Sequence, residues 1–148
     1  MESAMRELHV YEADAQPRPL TVLGEAVTVF GLGDSAKPFE VHLQQGYRGG
    51  GPPPHHHPWD EAFYVLDGEV ALTVDGDRRV LAKGAFVHIP AGVSHAYENL
   101  SEQARLLAVV SDPRGGEVFQ AMHDHVQRLP EDLPRLAEIN ARYGVVFL

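Results

Sequence analysis

From residue 20 to residue 110 the chain is a succession of short apolar runs, each ended by Gly, Pro or Asp, with no helical period between them. The runs cover residues 20–23, 26–32, 39–44, 62–66, 69–74, 78–81, 85–89, 95–100 and 105–110. Many short strands at near-regular spacing restrict a chain to a β-sandwich or a barrel. Asp67-Gly68 and Asp75-Gly76 carry the pair that favours tight hairpin turns. Pro90-Ala91-Gly92 supplies another turn, with proline pre-setting its first position and glycine free to take positive φ.

Helical spacing is confined to the chain after Pro113. Residues 117–129 place Val118, Met122, Val126 and Leu129 on one stripe and stop before Pro130. Residues 133–143 do the same with Leu136, Ile139 and Tyr143, and Gly144 is a natural C-cap. Residues 1–19 are polar, end in Pro17-Arg18-Pro19, and are read as an arm with at most one short strand at 8–11. The expected organisation is an N-terminal arm (1–19), a β-barrel (20–112) and a C-terminal helical tail packed on the barrel (113–148), whose last apolar residues are packed rather than frayed.

The run Ala62, Phe63, Tyr64, Val65, Leu66 is apolar at both parities, so both of its faces are expected to be covered. The outer face then needs the C-terminal helices, the arm or a second subunit, and a homodimer is expected. A net charge of −9 argues against a nucleic-acid partner. No apolar run approaches the ~20 residues that span a bilayer, and residues 1–20 lack the basic-then-apolar order of a secretory signal. A cytoplasmic, non-membrane protein is expected. Because the chain has no cysteine, any metal must be held by nitrogen and oxygen.

Candidate ligands of that kind are present. On an extended segment residues two apart share a face, so His55 and His57 point together while His56 points away. Glu61 follows past the Pro58-Trp59-Asp60 turn, and His95 opens a strand after Pro90-Ala91-Gly92. A histidine run can also be a tag or a solvated loop, but this one is internal and flanked by prolines. Three imidazoles and a carboxylate suit one divalent Fe, Mn, Ni, Co, Cu or Zn ion with room for exchangeable ligands.

Gly49, His55, His57, Glu61 and Gly68, at this spacing, are similar to the first motif of the cupin superfamily, and Gly84, Pro90, Gly92, His95 and Asn99 to its second. The resemblance implies an all-β fold, a double-stranded β-helix or jelly-roll barrel followed here by short C-terminal helices, with a metal near one mouth on His55, His57, Glu61 and His95. The stretch from Gly50 to Gly68, the continuation through Pro90 and the helical tail further resemble the small single-domain cupins grouped with quercetin 2,3-dioxygenase. That implies a metal-dependent dioxygenase acting with O2 on a flavonol-like or enolic small molecule, with Glu61 as a ligand able to take the substrate proton. Fold and metal site alone are also compatible with a non-catalytic metal or small-molecule binder, or with an isomerase or cyclase.

By strand parity Phe63, Val65 and Tyr97 are candidate pocket residues, with ordinary barrel core as their other role. The first helix is read as a packing helix, Phe119 and Met122 being placed to cover the mouth if it does more. His123 and His125 diverge on a helix and are not a chelating pair. His42 and His88 are read as polar strand-face residues.

Overall fold

The computed structural model describes residues 6–148. Strands β1 (Leu20–Val22), β2 (Glu25–Phe30), β3 (Glu40–Tyr47), β4 (His55–His56), β5 (Glu61–Asp67), β6 (Glu69–Val74), β7 (Asp77–Ala82), β8 (Phe86–Ile89), β9 (His95–Asn99) and β10 (Gln103–Val110) precede helices α1 (Arg114–His125) and α2 (Leu133–Ala141) and strand β11 (Val146–Phe147). They form two sheets, one in the order β1-β2-β3-β10-β5-β8 and the other β11-β4-β9-β6-β7. Every pairing is antiparallel. This is the jelly-roll architecture, with the expected helices after the last long strand.

Two apolar clusters fill the space between the sheets. Phe63, Val65, Val70, Leu72, Leu106 and Ala108 are among the residues packed in one. The other joins Val22, Val27, Val29 and Val110 to Val118 and Met122 of α1 and to Leu136 and Ile139 of α2. The helical tail therefore caps the barrel by burying its own apolar stripe, the usual source of helix stability in a folded protein.

Several expectations are corrected. Residues 8–11 form no strand. The arm is held by side chains instead: Tyr11 Oη accepts the Gly31 N–H at 3.2 Å, and His9 Nε2 lies 2.7 Å from Asp34 Oδ2. Asp75-Gly76 is a true two-residue hairpin, with Val74 opposite Asp77 and both turn residues at positive φ. Asp67-Gly68 is not. It carries the chain from one sheet to the other, and Gly68 (φ 78°) turns there because a Cβ would run into Ser101 Oγ and the Gln103 carbonyl.

Helix α1 starts and ends earlier than its stripe predicts. Gly115 and Gly116 hide the start, since each disfavours a helix by about 1 kcal/mol relative to alanine. Asp112 Oδ1 accepts the Arg114 N–H at 2.9 Å and helps to open the helix, and Val126 turns extended at its end. Strands β4 and β11, each two residues long, are too short to leave a periodic signal.

On the outer face of the six-stranded sheet, among the described residues, Tyr64 of β5 is 44% and Phe86 of β8 64% exposed, and the two are register partners. No helix among the described residues is long and apolar enough to cross a membrane.

Candidate metal centre

His55 lies on β4, a two-residue strand held between β9 and β11, and its register partner across β9 is His95. His57 follows beyond the end of β4, and Glu61 opens β5 on the facing sheet. The loop between β8 and β9 is tied down beside Glu61. Asp60 accepts the Ala91 N–H at 3.0 Å and pairs with His88 at 2.8 Å, while the Gly92 N–H donates to the His57 carbonyl at 2.8 Å. His88 is thus a half-exposed anchor of this loop and stands outside the histidine cluster.

All three cluster histidines are buried, and one ligand nitrogen from each lies within 4.8 Å of the other two. Each Nδ1 is bound to a backbone carbonyl: His55 to Pro53 at 2.8 Å, His57 to Trp59 at 2.9 Å and His95 to Val93 at 2.9 Å. An Nδ1–H donated to a carbonyl fixes the tautomer whose Nε2 lone pair is free, the orientation that metal-binding histidines adopt. Glu61 Oε1 stands 3.2 Å from His57 Nε2 and 3.3 Å from His95 Nε2. The second contact is poorly aligned, which leaves His95 Nε2 a buried nitrogen without a hydrogen bond.

Burial and mutual contact shift the titration of three of these four groups. Burial, reinforced by the neighbouring His95, pushes His55 down to about 4, so its ring is neutral near pH 7. Burial works to raise the Glu61 carboxyl, but its close contacts with His57 and His95 outweigh it and hold the group at about 2. For His95 burial works downward, and the adjacent Glu61 carboxylate more than offsets it, so its pKa is raised. A neutral His55, two further imidazoles oriented by their Nδ1 contacts and an ionised Glu61 carboxylate are a donor set that can hold a divalent first-row ion.

The cluster opens into a cavity of about 80 Å3. Phe63 and Tyr97 line it. Val65 does not: it shares their inward parity, but lies two residues deeper along β5, roughly 7 Å, and is sealed among Leu106, Ala108 and their neighbours. Val118, Phe119 and Met122 form part of the wall, so α1 closes the cavity as well as packing on the barrel. Phe147 of β11 also lines it, 5.6 Å from the His55 ring. His123 and His125 stay apart from the site, and His123 Nδ1 accepts the Thr21 N–H at 2.9 Å.

One wall is polar, which the sequence reading missed. Along β3 the inward residues are Glu40, His42 and Gln44, while Val41 and Leu43 face outward, so the polar face that carries His42 is the interior one. The alternation was visible in the sequence, but its apolar members point away from the barrel. Deeper in, the Tyr97 hydroxyl donates to Glu25 Oε1 at 2.5 Å, and Asn99 Nδ2 donates to Glu25 Oε2 at 2.9 Å. With one proton to give, Tyr97 serves the carboxylate. The Gln44 amide, 2.9 Å from the same hydroxyl, completes the contact by turning its N–H toward it. Burial and the Glu25 charge raise the Tyr97 phenol well above its usual range, so it remains a donor. Gly46 leaves the space that Glu25 fills.

Comparison with known proteins agrees with the fold. Residues 39–110 match the family model described as Cupin domain. The quercetin 2,3-dioxygenase of Bacillus subtilis is 33% identical in an alignment 134 residues long that covers 84% of this chain and 40% of that protein. The chain spans about half or less of the length of the curated relatives it matches. Among solved structures, an RmlC-like cupin from Shewanella frigidimarina has a TM-score of 0.63 at 20% identity, over 72% of this chain and 93% of that one. A cupin-superfamily sugar phosphate isomerase from Silicibacter pomeroyi has a TM-score of 0.60 at 21% identity, over 69% and 74%. With both motifs brought to one buried cluster inside a jelly-roll barrel, the chain belongs to the cupin superfamily.

Proposed function

We propose that this chain holds one divalent transition metal on His55, His57, Glu61 and His95 and catalyses a dioxygenase-type oxidation of a compact enolic molecule. The observation that carries the reading is the convergence of three buried imidazoles whose Nδ1 atoms are all tied to backbone carbonyls beside an ionised Glu61. Its likeness to a quercetin 2,3-dioxygenase adds support for oxygen chemistry. When bound, the ion supplies Lewis-acid polarisation of the enol oxygen and an open position for O2.

The chain's own residues do the rest. Glu61 lies at the cavity wall and takes the enol proton onto its carboxylate. Phe63, Val118, Phe119 and Met122 exclude water around the reacting carbon atoms. Pockets for drug-sized ligands run to several hundred Å3, so a cavity of about 80 Å3 favours a small enolone over a whole flavonol. The acting unit is a homodimer joined through the uncovered Tyr64 and Phe86 face.

The test is oxygen uptake by protein purified without a histidine tag and loaded in turn with iron, manganese, nickel, cobalt or copper. Flavonols and small enolones are the substrates, with and without air. Substrate-dependent uptake that disappears in Glu61→Gln and His95→Ala supports the reading. Native zinc with no uptake across the panel overturns it.

A further inference from the structure

A second set of buried ionisable side chains lies behind the cavity wall contributed by β3, and of these His42 lines the cavity. His42 belongs to the sheet facing the one that carries His55, and both line the cavity. His42 Nε2 is 2.6 Å from Glu40 Oε1, and the other Glu40 oxygen is 3.0 Å from Lys37 Nζ. Lys37 also donates to the Gly31 carbonyl. Glu40 and His42 are sealed from solvent, and His42 Nδ1 is buried with no hydrogen-bond partner among the described residues.

The Lys37–Glu40 pair accounts for the buried carboxylate, because the two charges offset each other. It does not account for an imidazole at position 42. With Nε2–H donated to Glu40, the ring is held in the tautomer that leaves the Nδ1 lone pair free. A buried acceptor with no donor destabilises a fold, and an apolar side chain in the same place would not. The helix above is shaped to admit the pair: a Cβ on Gly115 would stand 3.3 Å from His42 Cε1, and one on Gly116 would stand 2.6 Å from Glu40 Oε1. A carboxylate that orients an imidazole whose far nitrogen is free is the arrangement of a general base and its positioning group.

We propose that His42 is a second acid–base group of this cavity and that the ligand is an enediol, presenting one hydroxyl to Glu61 and the other to His42 Nδ1. The second O–H bond breaks as N–H forms, the electron pair stays on the ligand oxygen, and Glu40 faces the resulting imidazolium. Lys37 positions Glu40. The inference rests on the enolic reading above and narrows it to a molecule with two acidic hydroxyls.

A matched pair of small probes separates the two claims. Reductic acid (2,3-dihydroxycyclopent-2-enone) carries both hydroxyls. In 2-hydroxy-3-methylcyclopent-2-enone a methyl group replaces the second. Each is titrated under argon into the zinc-loaded, nitrogen-15-labelled full chain while the histidine ring nitrogens are followed by NMR. The expected result is that both probes perturb His55, His57 and His95, but only reductic acid moves His42 Nδ1 toward its protonated position, and it binds roughly tenfold more tightly. In His42→Phe that preference falls to about onefold; should the variant not fold, the wild-type spectra decide alone. If both probes bind and His42 Nδ1 stays still, the inference is overturned while the enolic reading stands. Failure of both probes to bind overturns the enolic reading and this inference with it.

Discussion

The indole of Trp59 lies over the His57 ring, with centroids 5.0 Å apart and planes 13° from parallel. Trp59 is the only tryptophan in the chain, and it is buried on the cavity wall. Arg114 covers it at 5.9 Å. The stack couples the only indole to a candidate metal ligand, which gives the centre an optical reporter. Cobalt(II) or copper(II) added to metal-free protein is expected to quench most of the tryptophan emission at one equivalent. In His95→Ala, which leaves the stack in place, the same addition is expected to quench little. Equal quenching in both proteins would place the ion elsewhere.

Metal removal bears on stability. Four donors held in a folded cluster bind an ion that the unfolded chain does not, so occupancy favours the folded state. With free metal at about 100 times its dissociation constant the gain is roughly 2.7 kcal/mol, or a melting temperature about 5–10 °C higher for a domain of this size. Differential scanning calorimetry with and without a chelator checks this. No change in Tm on stripping the metal would argue against a shared site.

Tyr97→Phe removes the donor that serves the buried Glu25 carboxylate and leaves only Asn99 to satisfy it. A buried charged acceptor that loses a partner costs about 1–3 kcal/mol. Urea unfolding is expected to show that loss, with little change in metal content, because Tyr97 is not among the converging donors. A fully stable variant would mean that water replaces the hydroxyl.

The outer face of β5 and β8 predicts association. Phe86→Glu places a charge on the most exposed aromatic of that face, beside Tyr64, and is expected to convert a dimer to a monomer without unfolding the chain. Light scattering on both proteins reads the outcome. A wild-type monomer at high concentration would remove the dimer from the account.

Phe147→Ala tests the cavity wall made by the C-terminal strand. Its ring lines the cavity and lies against His55, so truncation widens the space beside the metal donors. Binding of a whole flavonol is expected to strengthen relative to a small enolone, as measured by calorimetric titration. An unchanged ratio would show that another part of the wall sets the size limit.

The sequence was most informative where chemistry and geometry leave few solutions. His55, His57, Glu61 and His95 could be read directly, because two-residue spacing and turn glycines are local signals, and the structure brings these four together. The strands between the turns and the two helices were legible for the same reason. What escaped depends on long-range packing. Strand parity put Phe63, Val65 and Tyr97 on one face but could not say that Val65 lies below the cavity floor. On β3 Glu40, His42 and Gln44 alternate with Val41 and Leu43, and the barrel turns the polar set inward. The pairing of β11 with β4, which brings Phe147 against His55, joins segments about 90 residues apart and leaves no trace in either.

The claim on which the rest depends is that one ion sits on His55, His57, Glu61 and His95. Metal content per chain, measured by plasma mass spectrometry on tag-free protein, tests it most directly. The account predicts one first-row divalent ion per chain in the wild type and a small fraction of that in His95→Ala. Equal content in the two proteins, or no such metal in the wild type grown with a full metal supply, would contradict it.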